Sequence, residues 1–332
     1  MRLLKRVVWV VVLALLLAAG GVATFALRPI EMATSPQEFT VRPGPMRAVA
    51  RQIAESGVAV SPFALAWLAR LTGQAGSVKA GSYQIERGIT PLALLDKLTR
   101  GDVTQAEITF IEGWTFRQMR AALDAHPDIA HDTRGLTDAE VLQRVGAPES
   151  AAEGLFFPNT YLFAKQSSDL EVLKRSYQAM QRLLDAEWAA RDPNLPLRTP
   201  YEALTLASIV EKETGRAADR ATVASVFINR LYRGMLLQTD PTVIYGMGAN
   251  FTGDIRKRDL TTDTPYNTYT RAGLPPTPIA MPGQASIRAT LKPARTDFLY
   301  FVARGDGSSE FSRNLDDHNR AVARFILKKS QP

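Results

Sequence analysis

Between Thr199 and Asp240 the chain reads TPYEALTLASIVEKETGRAADRATVASVFINRLYRGMLLQTD, and one carboxylate in it is placed to do acid chemistry. Thr199 and Glu202 have the T-x-x-E spacing of a capping box, Pro200 suits a first helical position, and Gly215 offers a left-handed stop. A helix from about Pro200 to Thr214 is therefore expected. At about 100° per residue, Ala203, Leu206, Ala207, Ile209 and Val210 share one side. Lys212 points nearly opposite that face and Glu211 lies well off it. Glu213 stands i+3, i+4 and i+7 from Val210, Ile209 and Leu206, inside the edge of the face. A carboxyl there is partly desolvated, which favours its neutral form, and an acid still protonated near neutral pH can protonate a leaving group. The plainer reading is a solvated glutamate at a fraying helix end, or one paired with Arg216 or Arg220.

Other chemistries are poorly supplied. The sequence has no cysteine, which excludes thiolate catalysis, cysteine-ligated metal and disulfides. Its three histidines, His126, His131 and His318, are too scattered for a metal site, so neither metal nor cofactor is expected. A net charge of +7 suits anionic lipid or an acidic polymer, and without a dense Lys/Arg stripe interleaved with aromatics nucleic acid is not an expected partner.

The elements that must position Glu213 come from the rest of the 332 residues, enough for two domains. Val7 to Leu27 is an uncharged run long enough to cross a bilayer core of roughly 30 Å. Arg2, Lys5 and Arg6 before it place the N-terminus, residues 1–6, in the cytoplasm. A cleaved signal peptide ending near Ala18-Ala19-Gly20 is the competing reading, but the apolar run continues past Gly20, which favours a retained anchor. Both readings export the remainder of the chain. After a connector at 28–37, residues 38–124 repeat a strand, a turn and a helix. The strands are expected at Glu38 to Val41, Gly81 to Ile85 and Glu107 to Ile111, and the helices at Met46 to Glu55, Pro91 to Leu98 and Phe116 to Leu123, with an extra helix at Pro62 to Leu71. Residues 125–330 are expected to be mainly helical, with a long helix at Leu170 to Arg191, a second beside the Glu213 helix at Ala218 to Arg233, and a closing strand and helix at Leu299 to Ala303 and Asp316 to Leu327. From Gln238 onward the helical period disappears. The stretch is rich in amides, hydroxyls and tyrosines, the side chains that hydrogen-bond and stack on carbohydrate, although structural turn roles serve each of them equally.

Several long motifs then occur in order: LASIVEKETG at 206–215, VASVFINR at 223–230, LQTDPTVIYG at 237–246, YNTY at 266–269, GLPP at 273–276, and YFV at 300–302 with Asn319 beyond. In these the chain resembles the YceG-like (MltG) family of endolytic murein transglycosylases. The resemblance implies an α+β, single-pass inner-membrane protein with a LysM-like subdomain and a lysozyme-like, mainly helical periplasmic catalytic domain carrying a long polar loop region. It further implies cleavage of the MurNAc–GlcNAc β-1,4 bond of peptidoglycan strands without water, leaving 1,6-anhydro-MurNAc ends. The family's essential glutamate falls on Glu213, and Gln238, Asp240, Tyr245, Asn267 and Tyr269 become the candidate substrate-binding residues. An anchored cutter beside the membrane would meet nascent glycan, so glycan synthases are expected partners. Two rivals stand beside this reading, a hydrolytic muramidase pairing Glu213 with Asp240 and a wall-binding scaffold without chemistry.

Overall fold

The computed structural model describes residues 2–327, so Met1 and residues 328–330, assigned above to the cytoplasmic terminus and the catalytic region, lie outside the described residues. The chain is α+β and divides into two compact units, residues 1–107 with 127–130 and 162–167, and residues 108–126, 131–161 and 168–332.

The first unit begins with α1 (Arg2–Leu27), which contains a 23-residue apolar span from Lys5 to Leu27, long enough to cross a membrane. Then come β1 (Gln37–Val41), α2 (Met46–Glu55), α3 (Pro62–Leu71), β2 (Gly81–Ile85) and α4 (Pro91–Arg100), within a residue or two of the expected bounds. Ser61 and Thr90 cap α3 and α4, each ahead of a proline in the first turn. β1 and β2 pair antiparallel, which sets Phe39 opposite Tyr83 with their rings stacked at 5.8 Å. Around that pair Ile53, Leu65, Leu94, Leu95 and Leu98 are fully buried. The end of α1 belongs to this core as well: Ala26 and Ile30 are buried in it and Phe25 packs against it.

β3 (Gln105–Thr109) starts two residues earlier than expected, because its extent is set by a partner strand, β4 (Thr160–Ala164), that local pattern does not reveal. The helix expected at Phe116 forms α5 (Phe116–Ala125) and packs as part of the second unit, along with α6 (Asp138–Val145) and α7 (Asp169–Ala189). α8 (Pro200–Glu213) and α9 (Ala217–Tyr232) come next as a pair. The stretch expected to lack helical order holds three short helices, α10 (Asp240–Met247), α11 (Lys257–Thr261) and α12 (Gln284–Leu291). At eight residues or fewer, each is too short for a 3.6-residue period to register. Antiparallel β5 (Tyr300–Ala303) and β6 (Ser309–Ser312) and then α13 (Leu315–Val322), prolonged by a π-helical turn to Leu327, complete the described chain.

α8 is the axis of the second unit. It is packed by α7, α9, α10 and α12, and every residue from Ala203 to Val210 is buried, so the single apolar face expected from the sequence is in fact a whole circumference. Two of the expected end signals also differ. The Thr199 hydroxyl does accept from Glu202 N at 3.1 Å, but the Glu202 carboxylate reaches back one residue further, to Arg198 N at 2.6 Å, so the capping box is half closed. Gly215 is not left-handed. The helix stops because Thr214 turns extended (φ −148°, ψ 125°) and its hydroxyl accepts from Arg216 N at 3.1 Å.

Candidate active site

Where α8 ends, Glu213 faces a cavity of about 360 Å³ lined also by Arg230, Gln238, Asp240, Tyr269 and Tyr300. Burial pushes the Glu213 carboxyl up to about 7. The nearby Asp240 charge adds to the rise and a hydrogen bond donated by the Thr239 hydroxyl to Glu213 Oε1 opposes it. A carboxyl in this state exists in both protonation forms near neutral pH, as an acid that must later act as a base requires.

The segment leading into α10 is pinned by hydroxyls. Gln238 N donates to Thr268 O at 3.1 Å, Thr239 N to Thr268 Oγ1 at 3.1 Å, and Thr242 Oγ1 to Thr239 O at 2.8 Å. Thr242 and Thr268 are in addition 2.9 Å apart through their hydroxyls. Gln238, at φ 50°, holds a left-handed conformation that is uncommon outside glycine. Its side-chain oxygen accepts from Arg230 Nη1 at 3.3 Å. Tyr269 donates its hydroxyl to Asp240 Oδ1 at 2.6 Å, which ties the Tyr266–Tyr269 turn to the start of α10.

Arg230 is a cavity-lining residue that the sequence does not single out. It is buried, and its guanidinium donates to the carbonyls of Leu299 (2.7 Å), Leu236 (3.0 Å) and Leu237 (2.9 Å), so β5 and the Gln238 turn are joined through one side chain. Its charge lies 5.0 Å from the centre of the Tyr300 ring, on which His318 also stacks at 5.2 Å. A signal existed: Arg230 stands i+3, i+4 and i+7 from Phe227, Val226 and Val223 on α9, the same arithmetic that singles out Glu213 on α8.

The remaining candidates sit elsewhere. Asn267 is buried, and its amide nitrogen lies within donating distance of the carbonyls of Asp259, Leu260 and Thr262 while its oxygen accepts from Tyr269 N, so it shapes the turn that presents Tyr269. Tyr245, one and a half turns along α10 from Asp240, lines a second cavity of about 640 Å³ with Glu153, Phe251, Tyr266 and Thr277. Glu211 is spent on structure: Oε2 accepts from Gly283 N (3.0 Å) and Ser286 Oγ (2.7 Å), which caps the N-terminus of α12. Neither Arg216 nor Arg220 pairs with Glu213 among the ion pairs of the described residues. No group of three or more His, Cys, Asp or Glu gathers as a metal set among the described residues.

Comparison with known proteins gives this geometry a context. Residues 39–324 match the YceG-like family. The chain is 32% identical over 308 residues to an endolytic murein transglycosylase of Bacillus subtilis, with 86% of this chain and 83% of that protein covered. It is 31% identical to the endolytic murein transglycosylase of Streptococcus pneumoniae strain R6, covering 76% of this chain but only 51% of that longer protein. A crystal structure of a yceG-like protein from Listeria monocytogenes aligns with a TM-score of 0.55 at 27% identity, over 86% of this chain and 98% of that one. With a cavity acid on α8 and a match that runs through both compact units, the chain belongs to the YceG-like family.

Proposed function

We propose that the protein is an endolytic peptidoglycan lytic transglycosylase, a lyase that cleaves the MurNAc–GlcNAc β-1,4 bond of glycan strands and leaves 1,6-anhydro-MurNAc ends. The observation that carries this reading is the Glu213 carboxyl, held up to about 7 in a cavity otherwise rich in hydrogen-bonding groups. Glu213 protonates the glycosidic oxygen as the bond breaks. Now ionised, it takes the proton from the sugar's own 6-hydroxyl as that oxygen closes on the anomeric carbon. One residue serves in turn as acid and base, so the second carboxylate of a hydrolytic pair is not needed. Gln238, Asp240 and Tyr269 orient the glycan from the cavity wall, with Asn267 holding their turn. Tyr245 acts from the second cavity. In this reading residues 38–124 are the LysM-like subdomain and residues 125–330 the lysozyme-like catalytic domain. α1 anchors the chain in the inner membrane with its N-terminus cytoplasmic and the residues that follow it periplasmic, where cleavage of nascent strands beside glycan synthases ends their elongation.

A second reading has its own support. Asp240 lines the same cavity, so a hydrolytic muramidase with Asp240 as the second carboxylate is geometrically open. Product ends decide between them. The full chain is incubated with uncrosslinked glycan strands, with the Glu213→Gln variant alongside, and the ends are read by mass spectrometry. Anhydro ends that vanish in the variant are expected. Reducing ends select the muramidase, and binding without cleavage selects a scaffold.

A further inference from the structure

α3 leaves one face uncovered. Its inner side buries Leu65, Ala66, Leu68 and Ala69, whereas Phe63, Trp67 and Leu71, spaced i, i+4 and i+8, are 71%, 45% and 63% exposed. The Phe63 ring meets the Trp67 ring edge-on at 6.1 Å, and the Arg70 guanidinium lies 5.8 Å from the Trp67 centre. The helix has no Asp or Glu. Outside α1, no other helix among the described residues carries three large exposed apolar side chains in one stripe.

The position of this stripe within the first unit says what covers it. The apolar span ends at Leu27, yet Ala26 is already in the core of the unit, Phe25 packs against that core, and Ile30 N bonds Ile89 O at 2.8 Å. No free spacer separates span from fold. α1 packs against α3 and α4, so a bilayer crossed by α1 must surface beside them. Trp, Phe and Arg are the side chains that settle at the headgroup level, with the ring buried and the cation among phosphates. We propose that α3 lies in the interfacial layer of that same bilayer, with Phe63, Trp67 and Leu71 inserted and Arg70 at the headgroups. The inference rests on α1 crossing the membrane, and it adds a second, peripheral contact that fixes the first unit flat on the lipid.

The absence of native cysteine makes the test direct. Full-length single variants Phe63→Cys, Trp67→Cys and Leu71→Cys are nitroxide-labelled in vesicles of phosphatidylethanolamine and phosphatidylglycerol. Leu16→Cys reports the span and Asn250→Cys reports water. Collision with oxygen, which concentrates in lipid, is compared with collision with a water-soluble nickel chelate. The expected result is an oxygen-to-nickel ratio at 63, 67 and 71 well above that at 250 and approaching that at 16. Nickel-dominated collision at the three sites with position 16 in lipid overturns the proposal while the anchor stands. Protection from both quenchers also overturns it, since a protein then covers the stripe. Water access at position 16 removes the anchor and the proposal together.

Discussion

Two carboxyls in the second unit, Glu213 and Glu153, are both raised by burial to about 7, and they differ in what claims their oxygens. Glu153 is 7% exposed and is held by Phe116 N at 3.0 Å, by Gly154 N and by the Tyr245 hydroxyl. Those donors seat it between the start of α5 and the middle of α10. Glu213 accepts one side-chain hydrogen bond, from Thr239, and otherwise meets open cavity. Desolvation alone therefore does not mark an acid. What distinguishes Glu213 is desolvation with a lone pair left unclaimed.

The contrast yields its largest effect in turnover. Glu213→Gln is expected to lower glycan cleavage by about 10²- to 10⁴-fold, the usual weight of general acid–base catalysis, with the melting temperature unchanged or higher. Glu153→Gln keeps an acceptor for Phe116 N and is expected to stay within a few-fold of the parent enzyme. A comparable loss in the two variants, measured side by side, breaks the distinction. Next in size is Arg230→Met, which removes the donor to three carbonyls and Gln238 and is expected to cost roughly 2–4 kcal/mol in denaturant unfolding. Glu153→Ala, which orphans Phe116 N, is expected to cost about 1–3 kcal/mol by the same measurement, with little change in turnover of the folded enzyme.

Acidity gives the finer tests. Each carboxyl holds its proton in the folded chain from an unfolded value near 4.5 up to about 7, so across that window the folded state binds more protons than the unfolded one. Stability is then expected to fall as pH rises from about 4.5 to 7 and to level off above it, and either glutamine variant removes part of the decline in pH-dependent melts. Smallest is the shift of the alkaline limb of kcat/KM, where the protonated acid is lost. Asp240→Asn removes a charge that raises Glu213 and moves the limb down, while Thr239→Val removes the bond that lowers it and moves the limb up. An unmoved limb in both variants means that another group sets it.

Local grammar accounts for most of what the sequence reveals. The strands β1 and β2 and the pair α8 and α9 are written in neighbouring residues and are found within a residue or so of where they are expected. Glu213 is legible because its spacing on one helix places it in line with residues that the rest of the unit buries. Arg230 obeys the same rule on α9, but a long basic side chain at the edge of an apolar face usually reaches solvent, so its burial depends on the distant carbonyls that receive it. Thr239, Tyr300 and Glu153 carry no such signal. Their roles come from segments far apart in the chain, as when the Ser150–Tyr245 region closes a cavity around Glu153. The three short helices after Gln238 are hidden by brevity, and β4 by the distance to its partner.

The Thr239 hydroxyl has a single hydrogen, and it is committed to Glu213 Oε1. An oxygen that is already receiving a hydrogen is the poorer place for another, so the ionisable proton of Glu213 resides on Oε2. The two carboxyl oxygens are thereby made unequal before any sugar arrives. In the proposed reaction donation then leaves from one defined atom in one defined direction, which gives this threonine a hand in where the proton is delivered as well as in acidity.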